Sequence, residues 1–393
     1  MSVEEIYKNK SFFEQPNAFD RFEPLVLADR RSKAPVLPEQ IMEPVEYLED
    51  GDIIVRMFAP GAETVTVRSF HLAAWHFEIS LMNRGNGIFE GVLPASLELN
   101  GNVVLIFSVD GSDVINPHLP TQISGRAINN YIEVYDPETP YVLLRDVPHG
   151  SVTREILWSD AVKDYIRCLV YTPPGYDKGS EYPVLYIQHG AGENETCWTF
   201  NGKLPMIFDN NIADETAVPC VVVMNNGMLK APHERHINDF DGIEGIITED
   251  CRRFIEQKYR VRKDKWGRAI AGLSLGSMQA VYIGLRHPEL YSAIGSFTFL
   301  RRRDRANTYE DNPHLDAFKK PEQLWRDYNL IFRSIGDREA KLDEFLEDDT
   351  FIAQYGADHN PGYVRRVYPG QEHNWNCWRR ALNDFSQLVF QAR

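Results

Sequence analysis

Residues 266–280 read WGRAIAGLSLGSMQA. The stretch opens as a short apolar run, passes through Gly272-Leu273-Ser274-Leu275-Gly276, and continues as the start of a helix. A serine between two glycines at a strand-to-helix corner has two readings: a close-packed small-residue turn, or a nucleophile held out from the chain. The pattern G-x-S-x-G is common by chance, so its context carries the weight. A buried strand before it and a helix after it is the setting in which a sharp turn exposes a serine Oγ at the sheet edge. The glycines allow that turn without Cβ clashes. The helix N-terminus adds unpaired N–H groups and the positive end of a dipole.

Working outward, the surrounding chain has the grammar of an α/β sheet. YPVLYIQHG and PCVVVMNN are near-continuous apolar runs, as expected for strands covered on both faces. IITEDCRRFIEQKYR reads as helix, GSMQAVYIGLRH as another, and SAIGSFTF, LIFRSIG and YVRRVYP as strands. WNCWRRALNDFSQLVFQ closes the chain as an amphipathic helix. Strands alternating with helices predict a mostly parallel sheet. The first third differs: DIIVRMFAP, TVTVRSF, HFEISLM, GIFEGVL, NVVLIFSVDG and NYIEVYD are short strand-like runs punctuated by Gly, Asn, Asp and Pro. That spacing predicts an all-β sandwich. The Pro-rich joint around residues 136–151 separates the two, giving an expected β domain over 1–145 and an α/β domain over 146–393.

The 393 residues are ample for two cores, and 43% hydrophobic with 25% charged residues is the composition of a folded globular chain. A net charge of −15 repels nucleic acid and anionic membranes, so neither is expected as a partner. MSVEEIYKNK lacks the apolar core of a secretory signal, and no apolar run reaches the roughly 20 residues that span a bilayer. The five cysteines (168, 197, 220, 251, 377) are scattered and odd in number, which favours a reducing compartment. The expectation is a cytoplasmic protein, and a homodimer is compatible with the sequence.

A serine nucleophile needs a base and an acid in the chain order Ser…Asp/Glu…His. His287 lies at a helix end, where capping is the simpler role, and His314 and His359 lie in polar, Pro-flanked loops and are expected to be solvated. His373 follows the last strand and precedes the final helix, which makes it the candidate base. For the acid, the loop after LIFRSIG offers Asp337 and Glu339, and spacing alone leaves the pair open. An oxyanion needs two backbone N–H groups. Leu275 is the expected first donor; His189-Gly190-Ala191-Gly192 offers the second, with Ala191 preferred, Gly190 next, and His189 structural.

With these pieces in order, the chain resembles the putative-esterase family of α/β-hydrolases, which contains feruloyl and enterochelin esterases. The resemblance covers about residues 145–393 and rests on VPHGSVTREILWS, YTPPGYDKGSEYPVLYIQHGAGENETCW, RAIAGLSLGSMQA, HPELYSAIGSF and HNWNCWRRAL in that order. VRMFAPGAETVTV, GIFEGVLP and VLIFSVDGSDVINP likewise resemble the immunoglobulin-like, CBM48-like module that precedes many feruloyl esterase domains. A packing role is expected for that module, since its matches lie in strands and turns and Trp75 is its only tryptophan. The resemblance implies Ser274 as nucleophile, His373 as base, and Glu339 as acid, three positions after the strand-ending Gly336. Trp378 matches a tryptophan of the family's closing helix. Ser277, Gln371 and Glu372 stand where the family often has glycine, and the acid is Glu rather than the commoner Asp.

The implied activity is a serine carboxylester hydrolase of feruloyl-esterase type, acting on acyl esters of sugars without metal or cofactor. Candidate substrate contacts are Trp198, Phe200, His236 and Trp378, with buried core as the competing role for Trp198 and Phe200. His233 and His236 complete no metal set. Three alternatives remain: a catecholate siderophore esterase, favoured if Arg301 to Arg303 line the pocket; an acyltransferase using the same residues; and a glycan-binding protein with an inactive site.

Overall fold

The computed structural model describes residues 25–26, 41–70, 76–124, 127–178, 181–229, 240–301 and 308–391. Trp75, His233, His236, Arg302 and Arg303 lie outside these described residues. The chain divides into two compact units, Met1–Pro140 and Tyr141–Arg393.

In the first unit, nine strands between Val45 and Val134 form one antiparallel sheet. The strand Glu78–Gly85 joins its halves, pairing with Val65–Ser69 at one end and with Ile88–Leu93 at the other. Apolar residues from both halves (Val55, Met57 and Phe89; Val67, Leu105 and Phe107) share one core. Alternation makes this possible: in Ile53–Phe58 and Val65–Ser69 the more buried positions recur every second residue.

The second unit is built on eight strands, here β1 (Ser151–Ser159), β2 (Asp164–Thr172), β3 (Val184–Gln188), β4 (Val221–Asn225), β5 (Arg268–Leu273), β6 (Ala293–Phe297), β7 (Leu330–Gly336) and β8 (Tyr363–Tyr368). They lie in the order β1-β2-β4-β3-β5-β6-β7-β8. From β4 to β8 every pairing is parallel, whereas β1–β2 and β2–β4 are antiparallel. The sheet is therefore mostly parallel, as the run of apolar strands predicted. The opening hairpin is the part that sequence reading missed. In β1 exposed and buried residues alternate from Arg154 to Ser159, an edge-strand pattern that does not look like the buried runs beside it.

Four helices matter for the site: α1 (Leu204–Ala213), α2 (Leu275–Arg286), α3 (Leu342–Gln354) and α4 (Trp375–Leu388). The predicted helix IITEDCRRFIEQKYR is interrupted by a π-helical turn at Ile246–Cys251, followed by α-helix at Arg252–Lys258. All five cysteines are buried free thiols.

Candidate active site

Ser274 stands between the end of β5 and the first turn of α2, with φ 51° and ψ −118°. A non-glycine residue holds such a conformation only when its surroundings over-determine it. They do so here. Its N–H donates to Phe297 O at 3.1 Å and its carbonyl accepts from Ser277 N at 3.1 Å. A Cβ on Gly272 would lie 2.3 Å from Gly276 O, and one on Gly276 would lie 2.5 Å from His189 O. Both glycines therefore serve close backbone approach, and the serine alone carries the positive φ. Ser277, where the family often has glycine, ties α2 to the loop after β6 by donating to Phe299 O at 2.6 Å.

His373 reaches the serine from the other side, ninety-nine residues along the chain. Its Nε2 is 2.9 Å from Ser274 Oγ and its Nδ1 is 2.7 Å from Glu339 Oε2. The histidine directly precedes the N-cap of α4, where the Asn374 side chain accepts from Asn376 N and Cys377 N. The loop carrying it folds over the end of β7 so closely that a Cβ on Gly336 would be 2.1 Å from Gln371 O. That approach brings the loop bearing His373 against the loop bearing Glu339.

Glu339 is almost wholly enclosed, its side chain 1% exposed against 23% for His373. Its Oε1 accepts from Gly336 N at 3.2 Å and from Thr298 Oγ1 at 3.5 Å, which leaves Oε2 aimed at the imidazole. Asp337, the alternative acid, is exposed and accepts instead from Gly370 N at 2.7 Å. Thr298 has φ 118°, a second backbone in the left-handed region beside this relay. Trp378 packs its ring edge-to-face with His373, centroids 5.0 Å apart, and Phe299 lies 5.4 Å from the same imidazole.

The loop after β3 lies on the opposite flank of the serine. An ideal Cβ on Gly190 would be 3.5 Å from Ser274 Cβ. Gly190 to Glu193 form a turn closed by Glu193 N to Gly190 O at 3.3 Å, with Gly192 at φ +81° as a type II turn requires at its third position. Ala191 is the exposed second residue of the turn. Gly190 N–H donates to Glu193 Oε2 at 2.9 Å, which engages this donor and leaves Ala191 as the loop's candidate for the oxyanion. Leu275 opens α2, where a first-turn N–H has no intrahelical acceptor.

His189 holds the loop from below. Its Nε2 accepts from Gly227 N at 2.9 Å and its Nδ1 therefore donates to Gly190 O at 2.8 Å. Burial lowers its pKa to about 4, so it stays neutral and structural.

Several expected contacts fall elsewhere. Trp198 is 1% exposed, donates its indole N–H to Gln188 O at 3.0 Å, and meets Trp375 edge-on at 5.1 Å. It is core, not pocket wall, because the aromatic cluster beneath the loop encloses it. Trp378 is likewise buried, and supports His373 instead of facing a ligand. Phe200 is half-buried in the short helix Cys197–Phe200. Arg301 is buried, pairs with Glu347 and Asp348, and lies over the Tyr309 ring, so it is not free to line a cationic pocket. His314, expected in solvent, is buried edge-on against Tyr282, while His359 is exposed as expected. His287 caps α2 with its backbone N–H, and its ring pairs with Glu244 and Glu289, the Glu244 hydrogen bond chiefly raising its pKa.

Sequence reasoning missed Glu193. Its carboxyl accepts from both Gly190 N and Trp375 Nε1, each at 2.9 Å, and burial raises its pKa to about 7. The available signal was an acid directly after H-G-A-G, in a loop otherwise built for close approach.

The comparisons agree with this architecture. The family profile described as "Putative esterase" matches residues 159–388. The chain belongs to the Putative esterase family. It is similar to an endo-1,4-beta-xylanase/feruloyl esterase of Xylanibacter ruminicola, 29% identical over 380 residues, covering 92% of this chain and 48% of that protein. The chain thus spans about half the length of this curated relative. Among solved structures, the enterobactin esterase of Shigella flexneri covers 88% of this chain and 94% of its own, with TM-score 0.60 and 16% identity. A ferulic acid esterase of Anaeromyces mucronatus covers 64% and 95%, with TM-score 0.53 and 17% identity. At these identities the likeness speaks for the fold: an antiparallel β domain and a mostly parallel α/β-hydrolase sheet. Among the described residues no helix is long and apolar enough to cross a membrane.

Proposed function

We propose that this member of the Putative esterase family is a serine carboxylester hydrolase that cleaves feruloyl-type acyl esters of sugars. The observation that carries the reading is the imidazole of His373 bridging Ser274 Oγ at 2.9 Å and Glu339 Oε2 at 2.7 Å. These are hydrogen-bond distances for a nucleophile, a base and the group that orients the base.

In this reading Ser274 Oγ attacks the ester carbonyl while His373 Nε2 takes the hydroxyl proton. The carbonyl oxygen becomes an oxyanion and accepts from the N–H groups of Leu275 and Ala191. Collapse breaks the ester C–O bond, and His373 returns the proton to the departing alkoxide. Water then attacks the acyl-serine with His373 again as base, releasing the acid and restoring Ser274. Glu339 keeps the proton of the neutral imidazole on Nδ1 and stabilises the imidazolium between steps. The feruloyl preference is supported by the 29% identical relative, whose name pairs xylanase with feruloyl esterase.

The test is hydrolysis of p-nitrophenyl acetate, methyl ferulate and a catecholate ester by wild type and Ser274→Ala. Methyl ferulate should be the preferred ester, with loss of about 10³-fold or more in the variant at unchanged circular dichroism. Preference for the catecholate ester would replace the substrate class. Acylated sugar formed when sugar is added would make the enzyme a transferase. Absence of wild-type turnover on every ester would overturn the reading.

A further inference from the structure

Glu193 lies in the loop that flanks the serine, yet no step above uses it. The backbone of that loop is a four-residue turn, and a turn closed by a single 3.3 Å bond from Glu193 N to Gly190 O is a loose device. The Glu193 side chain closes it a second time. Its Oε2 accepts from Gly190 N at 2.9 Å, so the first and last residues of the turn are bonded in both directions. Its Oε1 accepts from Trp375 Nε1 at 2.9 Å, and Trp375 is the first residue of α4, two residues after His373. One carboxyl therefore links the loop on one flank of Ser274 to the start of the helix that follows the base on the other.

The link has a geometric consequence for Ala191. In a type II turn the second residue's N–H is not used by the turn itself and points away from it. With both ends of the turn pinned, that N–H keeps one direction. Gly190 lies against Ser274, its ideal Cβ 3.2 Å from Glu193 Oε2 and 3.5 Å from Ser274 Cβ, so a small rotation of the turn would redirect the neighbouring amide. Preorganised donors owe their effect to such fixed aim.

We propose that Glu193 is a positioning residue: by holding Gly190 N–H and the Trp375 indole N–H, it fixes the turn that presents Ala191 N–H to the oxyanion. The inference rests on the ester-hydrolysis reading and names a device within it. A neutral acceptor is sufficient for the role, since both partners are neutral donors. A negative charge close to a developing oxyanion would oppose catalysis, and the raised pKa of this carboxyl agrees with a group that carries a proton for part of the neutral range.

The test uses the full chain and reads two affinities beside turnover. A boronic acid that adds to a serine hydroxyl mimics the tetrahedral oxyanion, whereas free ferulate mimics the product. Glu193→Ala should lower kcat about tenfold or more with KM changed less than about threefold, and should weaken the boronate by the same factor while ferulate affinity stays level. Glu193→Gln keeps one carbonyl acceptor, enough for one of the two N–H donors, and should recover part of the loss. Trp375→Phe removes only the indole donor and should cost about two- to fivefold in kcat and in boronate affinity alike; it carries the test if Glu193→Ala does not fold. Unchanged kcat in Glu193→Ala and Trp375→Phe, or equal weakening of boronate and ferulate, would overturn the proposal. If wild type hydrolyses no ester, the function proposed above fails, and the boronate comparison still decides the role of Glu193.

Discussion

The two flanks of Ser274 are each organised by a glutamate, and the two carboxyls work under opposite conditions. On the β7–β8 side, Glu339 is enclosed and faces the His373 imidazole, which in the proposed mechanism becomes a cation each time the serine gives up its proton. On the β3 side, Glu193 is partly buried and accepts from an amide and an indole, neither of which acquires charge. The same side chain is thus suited to different tasks by its partner alone. Next to the imidazole, a negative charge lowers the barrier to proton transfer. Beside the oxyanion loop, a negative charge has nothing to stabilise, and burial pushes the pKa up to about 7.

The largest effect should come from the acid that meets the imidazole. Glu339→Gln should lower kcat/KM by about 10²–10⁴, because the amide neither stabilises the imidazolium nor enforces the correct tautomer. Asp337→Asn, one residue after Gly336 and with its exposed carboxylate accepting from Gly370 N, should stay within about twofold. Equal losses in the two variants would break the assignment.

A smaller effect concerns proton uptake. The usual carboxyl value for Glu193 is 4.5 and its value in the folded chain is about 7. Between these pH values the folded chain retains a proton that the unfolded chain has released, so stability falls as pH rises through this window and levels off above it. Glu193→Gln has no proton to lose. Its urea midpoint relative to wild type should therefore rise from pH 4.5 to 7 and then stay level. A difference that does not change with pH would place Glu193 with ordinary carboxylates and erase the contrast with Glu339.

The smallest effect tests how His373 is held. Trp378 packs against the imidazole and donates its indole N–H to Thr298 Oγ1 at 3.4 Å. Trp378→Phe keeps the ring contact and loses that weak bond, which should cost about two- to fivefold in kcat/KM. A loss as large as that of Glu339→Gln would mean that packing, not the carboxylate, sets the orientation of the imidazole.

Much of this arrangement was legible because it follows from local chemistry. The elbow at Ser274 needs glycines on both sides and a strand and a helix around it, all between Arg268 and Arg286. The contrast between the two units was legible as a change of period, alternating in the first third and continuous in the buried strands that follow. The residues misjudged are those whose role depends on what lies across the fold. Trp198 and Trp378 have the composition of a pocket wall, and only their neighbours make them core and support. Arg301 reads as a free cation in RRRDR until Glu347 and Asp348 arrive from α3. Glu193 gave only the faint signal of an acid after H-G-A-G, and its partner Trp375 lies 182 residues away along the chain.

By itself, then, the sequence determined the β and α/β division, the elbow, and the candidate serine and histidine, because short-range sterics and hydrophobic periodicity are written into consecutive residues. Tertiary structure decided which carboxylate meets His373 and which amide of the loop after β3 is engaged by a side chain. Those outcomes turn on close approaches between loops far apart in sequence. Gly336 under Gln371, and Gly190 against Ser274, are where the fold sets them.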